Sequence, residues 1–224
     1  MTLYPIMLNM SGQQAVIIGG GDVAVRKLSD LIFAGANIKI ISPEFNDEII
    51  KVSELFKDRI TLIKRKYEKN DLDAALLVFS ATNDADINRE IFNDAKERNI
   101  LINAADDPSN CSFYIPSFIR RGDLILSVST SGASPAMAAR LRREIEKHIP
   151  ENIEIILERL NKARILLKED KAFYNIDSSQ RGEILKKITY SDQLLESLIS
   201  CKDEEENKEM IDFLLKVKDL SLCL

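Results

Sequence analysis

The sequence contains no tryptophan and a single histidine, His148. A histidine-based metal centre or a Ser–His–Asp triad would have to rest on that one imidazole, and nothing around it supports either. His148 ends an amphipathic stretch just before Pro150, so a solvated helix-end histidine is the better reading. No metal ligands are assigned. Cysteine is almost as scarce: Cys111, Cys201 and Cys223 are far apart and odd in number. This excludes a disulfide framework and zinc-type spacing, and it fits a reducing cytoplasm. No apolar run approaches the roughly 18 residues that cross a bilayer, so no membrane association is expected. The opening MTLYPIMLNM has no basic region before its apolar residues, which argues against a secretion signal. Positive charge is not in excess either. The net charge of −5 and a pI near 5.2 argue against nucleic acid as the main partner.

What is present is the composition of an ordinary globular chain, 45% hydrophobic and 30% charged over 224 residues. That length allows one large domain or two modest ones. The most informative stretch is QAVIIGGGDVAVRKLSD, from Gln14 to Asp30. Ala15 to Ile18 form the short unbroken apolar run of a strand buried on both faces. Gly19, Gly20 and Gly21 follow, and then Val23, Ala24, Lys27, Leu28 and Leu31 fall at helical spacing. Strand, glycine turn and helix form the context of a dinucleotide site. Gly19 permits the tight turn, Gly21 lets a pyrophosphate approach the backbone, and Ala24 lets helix pack on strand. The helix start, at Asp22 and Val23, offers free N–H groups and a partial positive charge.

Strands and helices alternate from residue 14 to about 107. The first helix stops near Gly35, and Asn37 to Ile41 form a second strand that closes at Ser42-Pro43. An acidic residue usually ends this strand and holds the ribose hydroxyls. Here Ser42 takes that place and Glu44 follows two positions on. No arginine is placed to meet a 2′-phosphate, so NAD is favoured over NADP. A helix is expected over Phe45 to Lys57, and strands over Ile60–Ile63, Leu76–Ser80 and Ile100–Asn103. A helix running through Arg98 is capped by Asp84 or Thr82. The run Lys64-Arg65-Lys66 reads as a solvated face. This is an α/β pattern with a Rossmann-type parallel sheet. In such sheets ligands bind beyond the carboxyl ends of the strands, where Gly19–Asp22, Ser42–Glu44, Ser80–Asn83 and Asn103–Asp107 all lie.

The pattern then changes. Residues 2–10 read as a strap or short edge segment on the sheet. Strands are expected at Phe113–Ile115 and Leu124–Ser129, with a turn at Gly122-Asp123. A helix follows from Ala136 to about His148, with Ser134 as N-cap and Pro135 at its first position. From Glu151 the chain is helical and charged, in segments near 152–169, 181–188, 191–200 and 204–218. Apolar residues from Phe113 to Leu126 are expected to need a partner, which predicts a homodimer.

Candidate chemistry lies with Asp106 and Asp107 after the last parallel strand. A carboxylate there can exchange protons or orient a substrate nitrogen, and Asp107 before Pro108 also reads as turn chemistry. Arg120-Arg121 can bind an anion through their guanidinium forks, whereas Arg142 and Arg143 read as a solvated helix face.

The stretches LYPIMLNMSGQQAVIIGGGDVAVRKLSDLIFAGA, VFSATNDADIN and NAADDPSNCSFYIPSFIRRGDLILSVSTSGASPAMAARLRREIE resemble the precorrin-2 dehydrogenase family, the dehydrogenase/ferrochelatase module of siroheme synthase. The likeness covers roughly residues 3–150. It implies an NAD-binding Rossmann domain (1–113), a small α+β dimerisation domain (114–150) and a helical C-terminal domain (151–224). It also implies NAD-dependent oxidation of the tetrapyrrole precorrin-2 to sirohydrochlorin, with iron insertion in some members. By that resemblance Asp106 is the catalytic carboxylate and the cofactor contacts fall at Asp22-Val23 and Pro43-Glu44; with Gly19, Gly20, Gly21, Ser42 and Thr82 at the same strand ends, these are the residues expected to surround the cofactor. A regulatory nucleotide-sensing module is the reading from a different class. It needs the glycine loop but neither the Asp106 region nor the Ser134-Pro135 helix start.

Overall fold

The computed structural model describes residues 3–105, 108–202 and 207–222. The chain divides into two compact units, Thr2–Ile115 and Pro116–Leu224.

The first unit is built as β1 (Gln14–Ile18), α1 (Asp22–Phe33), β2 (Asn37–Ile41), α2 (Asp47–Leu55), β3 (Ile60–Ile63), β4 (Leu77–Ser80), α3 (Ala85–Glu97) and β5 (Leu101–Ala104). All pairings are parallel, in the order β3-β2-β1-β4-β5. The chain thus winds outward from β1 to β3, crosses back, and winds the other way through β4 and β5. The reversal lies between β1 and β4, where such sheets open a crevice at their carboxyl ends. Alternate strand residues face opposite layers. Ala15, Ile17, Ile38, Ile40, Leu77 and Phe79 pack with Leu28 and Leu31 of α1 and Ile49 of α2. Val16, Ile18, Ile41, Val78 and Ile102 pack with Ile91 and Ala95 of α3 on the other side. This is why these strands read as continuous apolar runs.

Helix boundaries follow their expected signals. Asn46 caps α2 by accepting from the Glu48 N–H at 2.8 Å. Asp84 caps α3 by accepting from the Asp86 and Ile87 N–H groups at 3.0 and 3.2 Å. Gly35 takes a φ of +77° just beyond α1.

The basic run is not wholly a solvated face. Arg65 forks onto the buried Asp71, with both N–O distances 2.7 Å. Burial pushes the Asp71 carboxyl up, but the Arg65 fork and the Glu68 backbone N–H outweigh it and hold its pKa below the usual value. The strap also differs from expectation. Residues 3–10 form no strand, and only Met10 is buried, while Tyr4, Ile6 and Met7 are exposed.

The second unit opens with an antiparallel hairpin, β6 (Ser117–Arg121) and β7 (Leu124–Val128), followed by α4 (Pro135–Glu146). No strand forms at Phe113–Ile115, contrary to expectation. Phe113 and Ile115 instead pack onto the core of the first unit, and Phe113 meets Phe79 edge-on with centroids 5.6 Å apart. The hairpin strand starts just after Pro116, a residue that cannot donate to a ladder. Ser134 accepts from the Met137 N–H at 3.2 Å, and Pro135 occupies the first turn, as expected. His148 is exposed beyond the end of α4. The remaining helices are α5 (Ile153–Glu169), α6 (Ser178–Thr189), α7 (Asp192–Ser200) and α8 (Lys208–Leu222). They close around Leu167, Phe173, Ile184, Ile188, Leu198 and Leu214. Among the described residues, no helix is long and apolar enough to cross a membrane.

Candidate functional site at the carboxyl edge of the sheet

The turn after β1 is held from two sides by backbone. The Gly19 N–H donates to the Ile41 carbonyl at 2.9 Å, and Gly19 adopts a φ of +120°. A Cβ at Gly19 would run into the carbonyl of Ala81, at the end of β4. A Cβ at Gly20 would run into the carbonyl of Glu44, beyond β2. The first two glycines are therefore required by the close approach of three strand ends.

Gly21 is different. A Cβ there meets nothing within 4 Å. Its φ of −91° and ψ of −165° are extended values open to any residue. Gly21 is the N-cap of α1 and supplies no side chain to the helix start. The caps of α2 and α3 do supply one. The first N–H groups of α1 thus receive no capping side chain, and the position beside them where a Cβ would stand is open. That combination fits the pyrophosphate of a dinucleotide, which needs both the donors and the room.

The other expected cofactor residues converge on this loop. The Asn46 N–H donates to the Gly20 carbonyl at 2.8 Å, and Asn46 Nδ2 donates to Asp22 Oδ1 at 3.0 Å. These bonds tie the Ser42–Asn46 turn to the start of α1. Ser42 is buried, whereas Pro43 and Glu44 are exposed at the rim. Val23 is half-buried in the first turn of α1. On the β4 side, the Ala81 N–H donates to the Ile18 carbonyl at 2.8 Å. Thr82 Oγ1 and Ser80 Oγ each donate to Asn88 Oδ1 at 2.7 Å, and Asn88 Nδ2 returns a bond to the Thr82 carbonyl at 3.0 Å. Gly19 to Val23, Ser42 to Glu44 and Thr82 thus lie at the carboxyl ends of β1, β2 and β4.

Asn46 and Asn88 were not singled out in the sequence. Asn46 carried a readable signal, an N-cap residue before Asp47-Glu48. Asn88 is one polar residue in an amphipathic helix and carried none.

Asp106 and Asp107 lie outside the described residues. The described chain reaches that edge at Ala105, whose N–H donates to the Ser80 carbonyl at 2.8 Å. The segment from Cys111 to Phe113 returns alongside β5. The Ala104 N–H lies 3.2 Å from Cys111 Sγ, and Asn103 Nδ2 donates to the Phe113 carbonyl at 3.0 Å. Of the arginines, Arg121 and Arg142 both point to Glu146, at 3.6 and 3.0 Å. Arg120 lies over the Phe118 ring at 5.9 Å. Among the described residues, no group of three or more His, Cys, Asp or Glu is arranged to hold a metal ion.

Comparison with known proteins agrees with this geometry. A family model described as putative NAD(P)-binding matches residues 6–117, half of the chain. A second, described as the central part of sirohaem biosynthesis proteins, matches residues 121–148. The siroheme synthase of Nitrosococcus oceani is 37% identical over 151 residues, which are 67% of this chain and 32% of that protein. That of Acinetobacter baylyi is 38% identical over 151 residues, with 67% and 33% covered. The chain therefore spans about a third of the length of these relatives. The solved structure of SirC, a precorrin-2 dehydrogenase, superposes with a TM-score of 0.74 at 27% identity, covering 97% of this chain and 100% of that one. These matches bear out the resemblance read from the sequence, and the chain belongs to the putative NAD(P)-binding family, followed by the central segment of the sirohaem biosynthesis proteins.

Proposed function

We propose that the protein is an NAD-dependent precorrin-2 dehydrogenase, an oxidoreductase that forms sirohydrochlorin on the way to sirohaem. The observation that carries this reading is Gly21. It leaves open space at an uncapped helix start, in a chain that resembles SirC over nearly its whole length. Oxidation of the tetrapyrrole removes a hydride and a proton, and bound NAD supplies the hydride acceptor. The α1 start holds the pyrophosphate, and the Ser42–Glu44 turn lies on the ribose side. No arginine accompanies that turn, which favours NAD over NADP. Asp106, the second residue after β5 ends at Ala104, takes the proton.

The test is sirohydrochlorin formation from precorrin-2 and NAD, followed by absorbance. Wild-type protein turns over. Asp106→Asn keeps size and polarity but cannot accept a proton, so its rate falls by about 10²-fold or more while NAD affinity changes little. Asp107→Asn is the control and loses much less. A wild-type protein that binds NAD yet forms no sirohydrochlorin would instead be a nucleotide-sensing module. The relatives' name, siroheme synthase, favours a bifunctional variant that also inserts Fe²⁺. Added Fe²⁺ would then shift the spectrum of the product to that of sirohaem.

We further propose that residues 114–150 form a homodimer contact and residues 151–224 a separate helical domain. Met137, Leu141 and Ile145 recur every four residues on α4 and are 45%, 43% and 40% exposed. Such a stripe is the face of a helix packed on a second copy. Of the residues expected from sequence to need a partner, Phe113 and Ile115 pack onto the core of the first unit and Ile119 is buried, whereas Phe118, Leu124 and Leu126 are half-buried and can join the contact. Sedimentation at micromolar concentration is expected to give a dimer that Leu141→Glu dissociates. A monomeric wild type would overturn it. Three cysteines, far apart in the chain and odd in number, support a cytoplasmic location, which subcellular fractionation checks.

A further inference from the structure

The apolar face of α1 contains one charged residue. Ala24, Leu28 and Leu31 are buried on that face, and Lys27 lies among them, three residues from Ala24 and four from Leu31. Its Cα is about 8 Å from the start of the helix, at 1.5 Å per residue. Helical side chains lean toward the N-terminus, so its stem leads back toward the carboxyl edge of the sheet. There Nζ lies 5.4 Å from the centroid of Phe79, one residue before the end of β4. Phe79 pairs in register with Asn103 of β5, which is bonded to the Phe113 carbonyl and faces Cys111. Lys27 therefore belongs to the β4–β5 end of the sheet, beyond the residues assigned to the cofactor.

The ammonium is poorly compensated in that place. Burial is the leading influence on it and lowers its pKa, with Asp30 and Cys111 opposing and Arg26 adding to the effect. Among the described residues no carboxylate comes within ion-pairing distance of Nζ, and the Phe79 ring offsets the burial only in part. A methionine would fill the same site without that cost. The residue makes sense if an anion arrives.

We propose that Lys27 receives a peripheral carboxylate of the tetrapyrrole and so positions the substrate against the carboxyl ends of β4 and β5. This rests on the reading of the protein as a precorrin-2 dehydrogenase. The role is positioning, separate from the proton transfer assigned to Asp106.

The experiment titrates sirohydrochlorin into protein saturated with NAD and measures steady-state turnover of precorrin-2 in parallel. Lys27→Met is expected to weaken sirohydrochlorin binding and to raise KM for precorrin-2, each on the order of 10-fold or more, the usual worth of a charge-assisted bond. The loss falls on KM rather than kcat, and NAD affinity is unchanged. Lys27→Arg recovers most of the binding. Equal affinity for sirohydrochlorin in wild type and Lys27→Met overturns the proposal. So does a loss confined to NAD affinity, which would place the ammonium on the cofactor. Reductive methylation of the wild type, read by mass spectrometry at constant NAD, covers a variant that does not fold. Sirohydrochlorin should protect Lys27, and equal labelling with and without it overturns the assignment. If wild-type protein neither binds sirohydrochlorin nor oxidises precorrin-2, the functional reading has failed. If it does both while Lys27→Met matches it, only the role of Lys27 has failed.

Discussion

In the bundle of α5 to α8, the main features are explained by the chain itself. Phe173, Ile184, Ile188 and Leu198 are buried against one another, and the starts of α6 and α7 are closed by Asp177 and Ser191, although Asn152 gives α5 no side-chain cap. At the carboxyl edge of the parallel sheet, the chain explains Gly19 and Gly20 but not Gly21, and it caps α2 and α3 but not α1. It also places the half-buried cation Lys27 there, with no carboxylate in ion-pairing distance among the described residues. Both regions fold by the same rules. They differ in where the openings fall: α5 also starts without a side-chain cap, but among the described residues only at α1 does an uncapped start coincide with a capping glycine in open space, at the carboxyl edge of a parallel sheet. Where groups at that edge are left without a partner, a ligand is the physical completion.

The sharpest way to break this comparison is to substitute neighbouring glycines. Gly19→Ala adds a Cβ that collides with the Ala81 carbonyl and forces alanine to a φ of +120°. Backbone on both sides resists the shift, so a loss of about 4 kcal/mol or more is expected, or no folded protein. Gly21→Asp places its side chain in open space, so thermal unfolding should match the wild type. The same carboxylate would repel the pyrophosphate, and NAD affinity by calorimetry should fall by about 100-fold or more, nearly 3 kcal/mol. Unchanged affinity in a folded Gly21→Asp protein would remove the cofactor from this loop. Severe instability would mean that Gly21 is structural like its neighbours.

Legibility in the sequence follows the same division. The parallel strands were readable to within one residue, because a strand buried on both faces must be an apolar run, as Ala15–Ile18 and Leu77–Ser80 are. The apolar run at Phe113–Ile115 looked the same but packs on a core without pairing. Composition alone cannot tell a ladder partner from a covering segment. At the site, the three glycines were visible as a group, but their separate roles were not. Those depend on Ala81 and Glu44, which approach only when β4 and β2 flank β1. Asn88 carries no sequence signal because its bonds to Ser80 and Thr82 form only once the turn closes. Lys27 was visible in the helical pattern, but the Phe79 ring beneath it is far away in sequence.

A smaller effect tests the other side of the comparison. Phe173 is 1% exposed and is among the largest fully buried side chains of the molecule. It lies on a short 3-10 turn, Lys171–Phe173, where Asp170 accepts the Ala172 N–H at 2.8 Å and aims the ring into the bundle. Phe173→Ala removes the ring and leaves a cavity among Leu167, Ile184 and Ile188. A loss of about 3 kcal/mol is expected, at the lower end for a buried phenylalanine because several helices can close on the gap. Urea unfolding followed by circular dichroism should show the helical transition moving to lower denaturant. NAD affinity, measured on the folded variant, should stay at the wild-type value, since the residues proposed to hold the cofactor belong to the other compact unit. A wild-type unfolding curve would mean that the bundle does not depend on this core. A parallel loss of NAD affinity would mean that the bundle serves the site as well as itself, and the contrast between the two regions would fall.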